Sequence, residues 1–132
     1  MPLLDTRADW MQYVAMRQDV KQQDEAQPKP LTEPVMLILT SLLDEPRHGY
    51  ALIQDIARLS HGRVRMTTGT LYGALRRLLE DGWIERFKQA DVSRDKQAYC
   101  LTLTGRRHLE LEVIRLRQLV NLAGKRLSAR EV

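Results

Sequence analysis

Hydroxyl groups at Thr67, Thr68 and Thr70, a phenol at Tyr72 and guanidinium groups at Arg76 and Arg77 stand close together in sequence, interleaved with Gly69 and Gly73. Such groups form hydrogen bonds to base edges and pair with phosphates, and the glycines leave no bulk between a backbone and whatever approaches it. At about 100° per residue, Gly69, Gly73, Arg76 and Arg77 share one side of a helix, with Thr70 and Tyr72 at its flanks. Leu71, Leu75, Leu78 and Leu79 take the other side, which must be buried. Either Thr67 or Thr68 can cap the start, because a hydroxyl there accepts a bond from an unpaired backbone N–H, and Gly82 supplies the stop. The spacing predicts a helix shaped to lie in a DNA groove, with an ordinary solvated, arginine-bearing face as the alternative for this helix on its own.

Other chemistries find little support. His48, His61 and His108 are scattered, with no cysteine or carboxylate at the spacing of a metal site or a catalytic triad. Gly69 and Gly73 lack the lysine and the strand context of a phosphate-binding loop. Cys100 is the sole cysteine, so no intrachain disulfide forms, and it reads as a small buried side chain rather than a redox sensor. His48 beside Gly49 reads as the shaper of a helix start. Neither a metal, a cofactor nor an enzymatic activity is expected.

The elements that must position the helix follow from patterning. A chain of 132 residues with 43% hydrophobic and 29% charged side chains reads as one soluble globular unit, small enough that dimerisation would add useful burial. The longest apolar run, Val35 to Leu39, is far short of a membrane span, and the N-terminus lacks a secretory pattern, so the expected location is cytoplasmic. Charge is unevenly placed: residues 1–61 carry six basic and nine acidic side chains, and residues 62–132 carry fifteen and eight. The net positive half holds the glycine–threonine helix, which suits a surface that meets phosphates.

Trp10, Tyr13, Val14 and Arg17 recur at helical spacing and predict an N-terminal helix from about Leu4 to Val20, followed by a linker ending at Pro30. A second helix opens at Thr32-Glu33-Pro34, apolar nearly all round from Val35 to Leu43. A third starts after His48-Gly49, with Tyr50, Ile53, Ile56 and Ala57 on one face, and stops around Ser60-His61-Gly62. Past Gly82 the period becomes two, from Trp83 to Lys88 and again from Ala98 to Leu103, which predicts a β-hairpin. Arg86, Lys88, Arg94 and Lys96 lie on or beside its tip, placed to hold flanking DNA backbone, and Arg63 and Arg65 are further phosphate candidates. A basic hairpin next to a groove-reading helix is the organisation of a winged helix-turn-helix. From about Thr104 the chain is one long helix, where Leu109, Val113, Leu116, Val120, Ala123 and Leu127 recur in steps of four and three, a heptad seam that predicts self-association.

His48-Gly49-Tyr50-Ala51-Leu52, Gly69-Thr70-Leu71-Tyr72 with Ala74-Leu75 and Leu78, Gly82-Trp83-Ile84, and Tyr99 through Leu101-Thr102 to Gly105-Arg106 and Leu109 occur in that order. Together they resemble the PadR family of bacterial transcriptional regulators over roughly residues 34–127, in its short subclass with a single C-terminal helix. The resemblance implies a winged-helix DNA-binding domain, a dimerising C-terminal helix and, usually, repression relieved by a small molecule. Two departures stand out: Gly73 occupies a position where the family often has proline, and the N-terminal thirty residues fall outside the matched core. The C-terminal helix also carries no aromatic residue for the stacking site of multidrug-responsive relatives, so no effector residues are assigned. Trp10 and Tyr13 read as packing residues ahead of a ligand-pocket wall.

The expected fold is therefore mainly α with a small β-hairpin: an N-terminal helix and linker over residues 1–30, a winged helix-turn-helix over 31–103 and a C-terminal dimerisation helix over 104–132. The expected partners are double-stranded DNA, a second copy of the chain and a small-molecule effector, with no membrane. The expected function is sequence-specific regulation, as a repressor on a palindromic operator. A winged-helix module that binds protein instead of DNA is the alternative.

Overall fold

The computed structural model describes residues 29–87 and 98–130. The helix expected near the N-terminus, with Trp10 and Tyr13, and the hairpin residues Lys88, Arg94 and Lys96 lie outside the described residues.

Helix α1 runs Glu33–Ser41. Thr32 caps it by accepting the Val35 N–H, and Pro34 stands in the first turn, where a missing N–H costs nothing. Ile38, Leu39 and Leu42 are fully buried, as expected of the most apolar element. Helix α2 spans Gly49–Leu59, with His48 Nδ1 accepting the Ala51 N–H at its start, so this histidine does shape a helix start. Its inward face is Leu52, Asp55 and Ile56, while Tyr50 is 65% exposed. The apolar face expected from Tyr50, Ile53, Ile56 and Ala57 is thus rotated, because buried Asp55 takes a place that hydrophobicity alone gives to its neighbours. His61 (φ 54°) and Gly62 (φ 81°) end the helix in left-handed backbone, and Ser60 Oγ donates to the Ile56 carbonyl while accepting the Val64 N–H, fastening the turn.

Helix α3 spans Thr68–Glu80. Thr67 is the cap: its Oγ1 accepts the Thr70 N–H at 3.2 Å. At the other end Gly82 takes φ 76°, the Trp83 N–H reaches the Leu78 carbonyl and the Gly82 N–H the Leu79 carbonyl, a left-handed stop that only glycine adopts without strain. Strands β1 (Ile84–Phe87) and β2 (Ala98–Leu101) pair antiparallel with Ile84 opposite Leu101 and Arg86 opposite Tyr99. All four β2 residues are buried rather than alternating, and the outer edge of Tyr99 is taken by Arg47, whose N–H and carbonyl both bond to it. Cys100 is fully buried, as expected.

The strand ends at Leu101, two residues before the hydrophobic alternation runs out. Thr102 then caps α4 (Leu103–Arg130): its Oγ1 accepts the Gly105 N–H at 3.0 Å and donates to the Gly82 carbonyl at 2.7 Å. The first turns of α4 pack on α1, and the His108 ring stacks on Trp83 at 4.2 Å and 18°. The core joins Ile38, Leu39 and Leu42 to Leu52, Ile56, Leu71, Leu75, Leu78, Ile84, Leu101 and Leu109, one cluster under all the elements. Helices α1 to α3 followed by the hairpin are the expected winged helix-turn-helix.

Two buried carboxylates brace this frame. Burial raises the Asp55 pKa, but hydrogen bonds from Ser41 Oγ and Arg58 and the Arg47 charge outweigh it and leave the group below its ordinary 3.8. The Arg115 fork holds Glu112 below its ordinary 4.5 against its burial, helped by the Leu31 N–H. A depressed folded pKa stabilises fully above the unfolded value and loses that contribution as pH falls through the folded one. The melting temperature is expected to be level from neutral pH down to about pH 5 and to fall below about pH 4. Level melting through that lower range in a pH series of thermal scans would contradict the ion-pair account.

Candidate nucleic-acid interface

The outer side of α3 has the geometry its residues imply. Gly69 and Gly73 face open space, with no heavy atom of another element within 4 Å of where a side chain would begin. Arg76 and Arg77 are exposed beside them, and among the described residues neither forms an ion pair. Thr68 and Thr70 are exposed on the first turn, and Thr67 Oγ1 donates to Thr70 Oγ1 at 3.0 Å, which fixes the second hydroxyl. A backbone or base edge can therefore approach the helix between two cations without first displacing an internal partner.

Tyr72 lies at the flank, 44% exposed, with one side of its ring laid over Gly49 at the start of α2. A methyl group at Gly49 would overlap the phenol oxygen. Tyr72 is thus a surface group whose phenol end also rests on the start of α2. Next to Gly49, Tyr50 and His48 are exposed, and they extend the polar surface beyond α3. Tyr50 is a surface residue that spacing alone does not reveal, because an aromatic side chain three residues from Ile53 reads as core.

In the wing, Arg86 is exposed on β1 and hydrogen-bonds to the Tyr99 hydroxyl. Burial pushes the Tyr99 pKa up, and Arg86 pulls it back only in part, so the phenol stays protonated. The other expected wing contacts, Lys88, Arg94 and Lys96, are not among the described residues. The two loop cations differ. Arg63 is engaged by Glu33, with Nη1 to Oε1 at 2.9 Å, which joins the α2–α3 turn to the first turn of α1. The Arg65 guanidinium lies over Gly62 and is exposed. Of this pair Arg65 is the better placed to meet a phosphate.

The seam of α4 divides into two parts. Leu109 is buried in the domain's own core and Val113 and Leu116 are half-buried, because these turns cover α1 and its approach. From residue 117 to 129 every side chain is exposed, including Val120 and Leu127 at 67%, Ala123, Leu122 at 59% and Leu119 at 49%. Among the described residues nothing covers this apolar surface, and one so large on a single helix calls for burial.

Residues 38–111 match the sequence model of the transcriptional regulator PadR-like family. A stretch of 77 residues is 39% identical to an uncharacterized 37.1 kDa protein of transposon TN4556 from Streptomyces fradiae; it covers 58% of this chain and 21% of that protein, so the chain spans about a fifth of that relative's length. A transcriptional regulator from Clostridium thermocellum is similar in structure with a TM-score of 0.59 at 20% identity, over 69% of this chain and 89% of the other. A PadR family transcription regulator from Clostridium difficile gives 0.57 at 24% identity, over 73% and 99%. At these identities the structural likeness is one of fold.

Proposed function

The chain belongs to the PadR-like family of transcriptional regulators, and on that footing we propose that it binds a specific palindromic operator as a homodimer and represses transcription from it. The family consists of regulators rather than enzymes, and the winged-helix fold is the one such regulators use to bind DNA. The observation that carries the reading is the bare outer side of α3, where two glycines with open space above them adjoin two exposed arginines. Thr68, Gly69, Thr70, Tyr72, Gly73, Arg76 and Arg77 form the major-groove reader, and Arg86 with Lys88, Arg94 and Lys96 holds the flanking backbone. A small molecule that releases the repressor completes the proposal, and a thermal-shift ligand screen tests for it. Among the described residues no helix is long and apolar enough to cross a membrane; the proposed action on the chromosome supports a cytoplasmic location.

Arg76→Ala is expected to weaken operator binding by about 1–3 kcal/mol if the guanidinium makes a bidentate base contact, measured by electrophoretic titration against fragments from upstream of the protein's own gene. Wild-type binding with neither salt dependence nor a preference among fragments would move the assignment to a protein-binding module.

The dimer is supported by the exposed rear of α4. Val120→Glu places a charge on a surface that the domain itself does not bury. Sedimentation is expected to show a dimer for the wild type and a monomer for the variant at equal folded fraction. A monomeric wild type would defeat the dimer reading.

A further inference from the structure

Glu112 is a carboxylate only 2% exposed on a helix whose other acidic residue nearby, Glu110, is exposed. Burying a charge is costly unless donors replace its water, and here three do. Arg115 donates from Nε to Oε1 at 2.8 Å and from Nη2 to Oε2 at 2.7 Å, both within α4. The third donor is the Leu31 N–H, 3.1 Å from Oε2 and 81 residues away in sequence. Leu31 immediately precedes Thr32, the cap of α1, so this bond ties α4 to the entrance of the winged domain. Its position along α4 is telling: Leu109 below it is core, and beyond Leu116 the helix is exposed on all sides to its end.

We propose that the Glu112–Leu31 bond, clamped by Arg115, fixes the direction in which α4 leaves the domain and so sets the separation of the two α3 helices in the dimer, which makes Glu112 a positioning residue for half-site spacing. The inference rests on the dimer reading. From Glu112 to the end of α4 is eighteen residues, roughly 27 Å, so a swing of about 7° at Glu112 moves its far end by about 3.3 Å. That displacement is close to the ~3.4 Å rise of one base pair. A single loose bond at this point therefore changes the spacing of the reading heads by about one step of DNA.

The test uses the full chain. A randomised duplex library first yields the wild-type palindrome, and affinity is then measured on duplexes whose half-sites are moved apart or together by single base pairs, each divided by the affinity for one isolated half-site. Wild-type protein is expected to prefer one spacing by about tenfold, a modest share of the usual specific-to-non-specific ratio. Glu112→Gln keeps an acceptor for Leu31 but loses the charge that holds the arginine fork. It is expected to leave half-site affinity within about twofold and to flatten the spacing preference to about threefold or less. Arg115→Leu, a partly exposed position, is expected to do the same and decides the matter if the first variant fails to fold. An unchanged spacing profile, or an equal loss at every spacing and at the single half-site, overturns the proposal by making Glu112 merely structural. A wild type that selects no palindrome or sediments as a monomer removes the dimer reading and this inference together, whereas an unchanged profile on a dimeric wild type removes the inference alone.

Discussion

Gly105→Ala is expected to lower the melting temperature by roughly 7–15 °C, the equivalent of about 2–4 kcal/mol for a chain of this size. Inside a helix this exchange ordinarily stabilises by up to about 1 kcal/mol, so the expected sign is the reverse of the propensity rule. The cause is steric. A methyl group at Gly105 would overlap the Trp83 carbonyl oxygen and stand 2.9 Å from its carbon, with Leu101 Cδ1 at 3.0 Å on another side. Backbone can yield to such a contact only if nothing holds it, and this carbonyl is held. It accepts the Thr102 N–H at 3.0 Å, the Trp83 N–H is committed to Leu78, and the indole is stacked on His108. Relief would require α4 to lift from the hairpin root, which would expose Leu109 and Leu101. A thermal scan in which the variant melts at or above the wild-type temperature would show that the joint between β1 and α4 is looser than its hydrogen bonds imply.

Gly69→Ala combined with Gly73→Ala is expected to act in opposite directions on folding and on binding. Neither new methyl group meets another part of the molecule, so each is expected to add about 0.8–1 kcal/mol of helix stability and the melting temperature should rise. On DNA the same two methyl groups occupy the space through which the backbone of α3 is proposed to approach the groove, and operator affinity is expected to fall at least about tenfold. A more stable protein that binds DNA worse separates the reading role from folding in a way that an arginine substitution cannot. Unchanged affinity in the double variant would mean that the glycines leave the helix loose rather than close-fitting, and would shift the reading to Arg76 and Arg77.

The parts of this molecule that were legible in its sequence are those whose cause is local. Thr67, His48 and Gly82 act on backbone groups within four residues, so caps and stops could be placed from residue type, and the leucines of α3 declare their face by spacing alone. What depended on distant partners could not be read. Asp55 and Glu112 look like surface carboxylates until Ser41, Arg47 and Leu31 are brought to them by the fold. Arg63 reads as a free cation until Glu33, thirty residues earlier, is found beside it. The outer edge of β2 is paired by Arg47, a single-residue partner too short to leave any periodicity. The heptad seam was visible as a pattern, but a pattern does not say which turns the domain keeps for itself; α1 decides that by covering the first of them.

The double pairing of Tyr99 has a mechanical consequence. Its backbone is bonded to Arg47 on one edge and lies opposite Arg86 on the other, and the Arg47 side chain continues inward to the Ser41 carbonyl at 3.0 Å and to Asp55 at 3.6 Å. The root of the wing is therefore clamped on both sides and bolted to the first two helices, like a beam built into a wall rather than hinged to it. Load applied at the wing passes into the frame without changing its shape. In the proposed DNA-bound dimer a frame braced in this way is expected to move as one piece, so the spacing of the two reading helices answers to the angle at which α4 leaves it.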